Sequence, residues 1–171
     1  SELEIERPQL HLRLRQNYQE QEGVLKQAIV AFEDVSKALY EDAGSLTIDT
    51  SINGPSFDVR IHGSRSKGIS NMQIFCFDMM LMRICAERES GTGYLVHDSH
   101  LFDGVDERQV SKALYVGAEM AERYGFQYIV TLNSDQVRSD AFNGGGLAKY
   151  VLPVRLTDAT EDGGLFGLRF N

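Results

Sequence analysis

The chain has 171 residues, is 42% hydrophobic and carries a formal net charge of −8 at pH 7. That length suits one domain with a sizeable core, and the acidic balance argues against a nucleic-acid groove spread over the surface, although a local basic patch stays compatible with it. No apolar run approaches the roughly 18 residues that cross a bilayer, and the N-terminus lacks the basic-then-apolar pattern of a secretion signal. We therefore predict a cytoplasmic protein that neither spans nor binds a membrane.

The N-terminal region is expected to contain a long helix. Residues 1–15 fit a strand or a helix equally well, because leucines alternate there with polar residues just before a helical pattern begins. From residue 16 to residue 42, apolar residues recur every seven positions at Tyr18, Leu25, Phe32 and Leu39, with Ala28 and Val35 at the intermediate positions. The pattern predicts a helix with one narrow apolar stripe, which either packs onto a domain or ends a coiled coil, with Gly44 as its stop.

Two strands are predicted next, from Leu46 to Thr50 and from Phe57 to His62. The Asn53-Gly54-Pro55 turn between them predicts a β-hairpin. Apolar and polar residues alternate from Phe57 onward, so one face of this hairpin should be buried.

A second helix is predicted from Ile69 to Glu87. Its apolar residues run almost all the way round, which places it in the interior. Cys76 and Cys85 lie nine positions apart on it, and therefore point to different faces and cannot bridge. We predict that both are reduced thiols.

A strand, a helix and a strand follow, at Tyr94–His97, Val105–Tyr124 and Tyr128–Leu132. This spacing predicts two buried, neighbouring parallel strands, with Gly125 ending the helix. Asp98 and the segment Asn133–Asp135 would then share the carboxyl edge of the sheet, where open α/β sheets bind ligands.

The C-terminal region has weaker signals. Gly144–Gly146 is predicted to be a flexible loop. Tyr150–Leu156 and Leu165–Phe170 are predicted to be two last strands, which would form a hairpin if they pair.

Two groups of residues in the centre of the chain suggest chemistry. Small residues and Gly68 precede the second helix, whose first amides have no partner within the helix, so this end can bind phosphate with help from Arg65 and Lys67. An ordinary helix cap by Ser66 or Ser70 explains the same residues. Asp98 can hold Mg²⁺ through water beside a nucleotide phosphate, or simply cap the next turn.

The order of these features, and above all the segment YLVHDSHLFDGVDERQ from Tyr94 to Gln109, resembles a known family. Roughly from Gln16 to Asp135, the chain is similar to the C-terminal half of an ABC-type ATPase head of the SMC and RecN-like kind. It looks closest to the bacterial domain-of-unknown-function ATPases of ABC-three-component systems. The resemblance implies an α/β fold, namely half of a P-loop ATPase head with parallel strands, packed helices and a preceding hairpin.

The resemblance also implies site residues. Ser66, Lys67 and Gly68 stand at the signature loop, which contacts ATP held by a partner head. Asp98 corresponds to the Walker B aspartate that holds Mg²⁺, and Asp106 to the aspartate of the D-loop. Asn133 or Ser134 falls at the position of the switch histidine.

The chain departs from the family pattern at the general base. Ser99 occupies the position of the usual glutamate, and serine is a poor base at neutral pH. His97, His100, Asp103 and Glu107 are candidates to replace that base, and His100 and Asp103 are preferred because they lie just beyond the strand. Either hydrolysis by this protein is slow or one of these neighbours replaces the base.

A second departure is the lack of a Gly-x-x-x-x-Gly-Lys phosphate loop. In SMC-like proteins this loop lies in the N-terminal half. Together with the start at Ser1, this suggests the C-terminal part of a longer protein, with residues 1–44 as an N-terminal segment and coiled-coil stub and residues 45–171 as the lobe. The implied cofactors are ATP and Mg²⁺. The implied partners are the N-terminal lobe of the same protein, a second head in a homodimer, and accessory proteins of a defence or repair complex, with DNA not indicated by the charge.

Two other functions remain open at this stage. The chain could belong to a nucleotide-gated scaffold that has lost hydrolysis, which Ser99 favours. A metal-dependent nuclease or phosphatase with Asp98, Asp103 and Asp106 as its carboxylate cluster is the weaker reading.

Overall fold

The computed structural model describes residues 2–61, 67–133, 146–157, 159–160, 162–164 and 167. Over these ranges the chain is a mixed α/β protein that contains one antiparallel hairpin and one parallel pair of strands. It divides into two compact units, Ser1–Arg138 and Ser139–Asn171. The predicted α/β class is confirmed at this level, and the boundary predicted between residues 44 and 45 stays a prediction.

Two helices, not one, open the chain: α1 spans Glu2–Glu20 and α2 spans Glu22–Leu39. The prediction of a single helix from 16 to 42 was wrong because the backbone leaves helical geometry at Gln21, with φ −94° and ψ 7°. The predicted apolar stripe is largely confirmed, since Ala28, Phe32, Val35 and Leu39 are all buried. Helix α2 packs on this side against the rest of the first unit.

Gly44 was predicted to end α2, and this prediction was wrong. The helix ends at Leu39, and Tyr40 continues in extended backbone. Gly44 instead lies against the hairpin, where a Cβ atom would stand 2.7 Å from the Arg60 carbonyl oxygen, and its N–H donates to Ser36 Oγ at 2.8 Å. Glycine is needed there because two backbone segments approach closely.

The predicted hairpin is confirmed, with β1 at Ser45–Ser51 and β2 at Gly54–Arg60 in antiparallel register. Leu46 and Ile48 are buried on its inner face. Phe57, expected on that face, is more than half exposed, and its ring meets the edge of Phe77 at a centroid distance of 5.7 Å.

Helix α3 spans Lys67–Glu87, close to the prediction. It packs against α2 and helix α4, which spans Glu107–Tyr124. Ile74 and Leu81 are exposed, so the prediction of a helix buried on nearly all sides was wrong along one stripe. Cys76 and Cys85 are both free, as predicted, and burial raises the pKa of the Cys76 thiol to about 12.

Strands β3 (Tyr94–His97) and β4 (Gln127–Val130) form the predicted parallel pair, and α4 connects them. Gly125 ends α4 in the left-handed region with φ 72°, also as predicted. These two strands were predicted to be buried, but the sheet that they form is covered on one face only. Side chains alternate along a strand, and here one face holds His97 and Tyr128 inside, whereas Tyr94 (52% exposed), Val96 (52%) and Ile129 (40%) form an outer sheet face.

The second unit contains a short 3₁₀ helix at Ala148–Tyr150, followed by residues 151–157 without strand structure. The strand predicted at Tyr150–Leu156 was therefore wrong, because apolar alternation makes a strand only where a second strand supplies the ladder of hydrogen bonds. The loop predicted at Gly144–Gly146 and the strand predicted at Leu165–Phe170 lie almost entirely outside the described residues. None of the helices in the described ranges is both long and apolar enough to cross a membrane.

Candidate functional site at the carboxyl end of β3

Asp98 follows β3 directly and begins a 3₁₀ helix that spans Ser99–Phe102. Its Oδ1 accepts the His100 N–H at 2.7 Å and the Ser99 hydroxyl at 3.3 Å. Within the described parts of the chain, Oδ2 makes no hydrogen bond, and the residue is exposed. Asp98 is therefore a helix cap with one carboxylate oxygen directed to solvent.

The first turn of α3 lies directly on the turn that follows this 3₁₀ helix. Gly68 is buried, and a Cβ atom at this position would stand 2.4 Å from the Gly104 carbonyl oxygen. Gly104 itself has φ 73°, a conformation that strongly favours glycine. Two glycines thus allow backbone-to-backbone contact between segments that are distant in sequence.

Polar side chains reinforce this contact. Lys67 Nζ lies 3.2 Å from Asp103 Oδ2, and His100 Nδ1 lies 3.2 Å from the same oxygen. Asn71 Nδ2 donates to the carbonyl oxygens of His100 at 3.3 Å and of Asp103 at 3.1 Å. The α3–turn junction is the name used below for the six residues that make these contacts: Lys67, Gly68, Asn71, His100, Asp103 and Gly104.

The junction has a definite charge state at Asp103. The hydrogen bond from His100, followed by that from Lys67, lowers the pKa of this carboxyl below its ordinary value. Asp103 is therefore ionised at neutral pH, and it forms an ion pair with the largely exposed Lys67 at the N-terminal end of α3.

Asp106 has a defined local role as the N-cap of α4. Its carboxylate accepts the backbone N–H of Arg108 at 3.0 Å, and this bond is the main cause of its lowered pKa. The cap holds the turn between Asp103 and α4 in one conformation.

Most residues predicted from the sequence for the site lie together. Lys67, Gly68, His100 and Asp103 belong to the junction, with Ser99 and Asp98 next to it in the chain. Asn133 is exposed three residues beyond β4, at the same end of the sheet, since β3 and β4 are parallel. Ser66 and Ser134 lie outside the described residues.

His97, one of the candidates for a replacement base, is excluded by its position. It is only 6% exposed, with Nδ1 at 2.9 Å from Tyr128 Oη and Nε2 at 3.1 Å from Asp78 Oδ2. A general base must reach a water molecule beside the substrate, and this ring is turned into the core instead.

Sequence reasoning missed three residues. Asp78 is a single carboxylate inside an otherwise apolar run of α3, which is a signal for a buried partner. Asn71 lies four positions after Lys67, on the same side of the helix. Tyr128 carried no such signal, because its hydroxyl contact with His97 depends on strand pairing.

The side chains around Asp98 limit the kind of metal site that the protein can form. Among the described residues, no three His, Cys, Asp or Glu side chains are grouped to hold a metal ion. Asp98, Asp103 and Asp106 therefore do not form the carboxylate cluster that a metal nuclease needs. A single exposed carboxylate does fit Mg²⁺, which usually keeps several waters and binds protein through one or two carboxylates plus substrate phosphate.

The profile of an uncharacterised protein family conserved in bacteria, DUF2326, matches residues 35–170. The chain belongs to this family. The match includes the whole α3–turn junction and both parallel strands, so the candidate site lies within the part that defines the DUF2326 family. Neither the curated proteins nor the solved structures include a match to the chain.

Proposed function

We propose that this DUF2326 chain is the C-terminal lobe of an SMC-like ATPase head. It would act on Mg²⁺-ATP together with the N-terminal lobe of the same protein and with a second head. The observation that carries the proposal is the α3–turn junction, which holds the start of α3 against the turn that begins at Asp98 and ends at Gly104. An ATP site divided between lobes needs this arrangement, because anion-binding amides and a metal-binding carboxylate must keep a fixed separation.

Each residue then has a role of its own. The start of α3, with Lys67, would meet the γ-phosphate of ATP held by the partner head, since helix N-termini attract anions. Asp98 would hold Mg²⁺ through water, and the ion would neutralise phosphate charge. Asp106, at the start of α4, would lie at the contact between the two heads.

The exposed outer face of the β3–β4 pair is a second observation in favour of an additional lobe. Parallel sheets are almost always covered on both faces, and a two-stranded sheet is marginal by itself. Tyr94, Val96 and Ile129 instead expose apolar surface on the β3–β4 pair. Additional strands and a covering layer from the N-terminal lobe would bury this surface.

The test is Mg²⁺-dependent ATP binding by the chain together with the lobe that carries the phosphate loop. Asp98→Ala should weaken binding in Mg²⁺ at least tenfold and leave metal-free binding unchanged. Glu119→Ala, which removes an exposed carboxylate from α4, is the matched control. Equal Mg²⁺-ATP affinity of wild type and Asp98→Ala would refute the assigned role.

A nucleotide-gated scaffold is the second candidate, and Ser99 is the observation that favours it. The Ser99 hydroxyl lies 3.3 Å from Asp98 Oδ1, at the position where a hydrolysing enzyme of this kind would have a carboxylate base. The scaffold proposal expects ATP binding without turnover, and turnover in Ser99→Glu. Rapid hydrolysis by the natural protein would instead assign the base to another group, with His100 and Asp103 the nearest.

A further inference from the structure

A partly buried polar network is centred on His97, the residue that precedes Asp98 in the chain. His97 is the last residue of β3, and its ring is held at both nitrogens by side chains from two other elements, Asp78 of α3 and Tyr128 of β4. Its surroundings are otherwise aromatic: Tyr128 meets the ring edge-on with a centroid distance of 5.4 Å, and Phe75 lies at 5.8 Å. The network links α3 to both strands of the parallel pair.

The proton positions in this network follow from its partners. A carboxylate only accepts hydrogen bonds, so His97 Nε2 carries a proton and donates to Asp78 Oδ2. Burial raises the pKa of the Tyr128 phenol, with the Asp78 charge as a second cause, so Tyr128 keeps its proton. The Tyr128 hydroxyl is then able to donate to His97 Nδ1, 2.9 Å away. All polar atoms of this ring are satisfied.

The network determines where the chain leaves the strand. The His97 carbonyl accepts the Thr131 N–H at 3.0 Å, so both the backbone and the ring of His97 are fixed to the β4 side. Successive side chains in extended backbone point in opposite directions, and Asp98 continues extended with φ −90° and ψ 159°. Holding His97 inward therefore directs the Asp98 carboxylate outward.

We infer that Asp78, His97 and Tyr128 are positioning residues that set the direction of the Asp98 carboxylate toward the metal. This inference rests on the proposed function for the role of Asp98. The network acts through Asp98 alone and touches neither nucleotide nor metal.

The sharpest variant is Tyr128→Phe, which removes one hydroxyl and retains the ring. Tyr115→Phe, at an exposed tyrosine of α4, is its matched control. The first readout needs no nucleotide: amide hydrogen exchange at His100, whose N–H donates to Asp98 Oδ1. We expect about tenfold faster exchange in Tyr128→Phe, as for loss of one hydrogen bond, with the amides of α2 unchanged.

The second readout is the Mg²⁺ concentration that gives half-maximal ATP binding when the phosphate-loop lobe is supplied. It should rise severalfold in Tyr128→Phe, while metal-free ATP affinity stays the same. Asp78→Asn retains an acceptor for His97 Nε2–H and should remain near wild type, whereas Asp78→Leu should resemble Tyr128→Phe. This pair keeps the test available if Tyr128→Phe does not fold.

The outcomes separate the two claims. Unchanged His100 exchange and an unchanged Mg²⁺ requirement in both Tyr128→Phe and Asp78→Leu would overturn the positioning role. Uniformly faster exchange throughout the chain would also overturn it, because that result marks a purely structural network. If wild type shows no Mg²⁺-dependent ATP binding, the proposed function fails, whereas the exchange result still reports on the direction of Asp98.

Discussion

Two histidine–aspartate pairs, centred three residues apart in the chain, have opposite environments. His97 is buried beneath the β3–β4 pair, and its ring is bound at both nitrogens, by Tyr128 and by the partly exposed Asp78. His100 with Asp103 lies at the surface, with the His100 side chain 85% exposed. The N···O distances are nearly equal, at 3.1 and 3.2 Å. Distance alone therefore says little, because water reaches the exposed His100 ring and hardly reaches the buried His97 ring.

The largest expected effect is at the buried pair. His97→Ala leaves the Tyr128 hydroxyl and Asp78 without their partner and opens a cavity, so it should lower the free energy of unfolding by about 3 kcal/mol. Urea denaturation measures this value. His100→Ala is the surface counterpart and should change stability little, and equal losses in both variants would contradict the distinction between the pairs.

The next largest effect is expected when the space beside the Tyr128 ring is filled. Gly117 of α4 lies so close to that ring that a Cβ atom would stand 2.3 Å from a ring carbon. Gly117→Ala should push the ring away from His97 and cost about 2 kcal/mol by overpacking. The amide signals of β3 and β4 should shift with it in an NMR spectrum. A stabilised Gly117→Ala protein would show that the ring moves freely and that the network is not rigid.

A smaller effect is expected at the surface junction. Gly68→Ala places a methyl group against the Gly104 carbonyl oxygen and should separate α3 from the turn, at a net cost of about 1 kcal/mol. Gly23→Ala is the control, since nothing lies within 4 Å of a Cβ atom there and alanine favours a helix. Thermal unfolding should give opposite signs for the two variants, with Gly23→Ala the more stable protein.

The smallest expected effect is the change in stability at acidic pH. The pKa of Asp103 and that of Asp106 are both lowered in the folded chain, so their contributions to stability are present above the ordinary aspartate pKa of about 3.9. They are lost as the pH falls through the lowered values, because protonation breaks the bonds to His100, Lys67 and Arg108. Asp103→Asn should therefore differ from wild type in denaturation midpoint at pH 7, and the difference should shrink as the pH falls below the ordinary aspartate pKa.

Local patterns account for the parts of the fold that were predicted correctly. The parallel pair, α4 with its stop at Gly125 and the hairpin all follow from periodicity and turn residues close in sequence. The grouping of Asp98, His100 and Asp103 also follows, since they belong to one short segment. The contact of Gly68 with Gly104 does not, because no local pattern records which distant backbone a glycine must approach.

By itself the sequence determined which segments become helices and strands around the candidate site. It also determined that the candidate functional residues cluster where β3 ends. Only the tertiary structure decided which histidine is buried, that Gly44 packs against a strand without capping a helix, and that one face of the parallel pair remains open. The physical reason is the separation along the chain over which each effect acts. Propensity, capping and alternation act over a few residues, whereas burial and close backbone contact depend on elements brought together from distant parts of the chain.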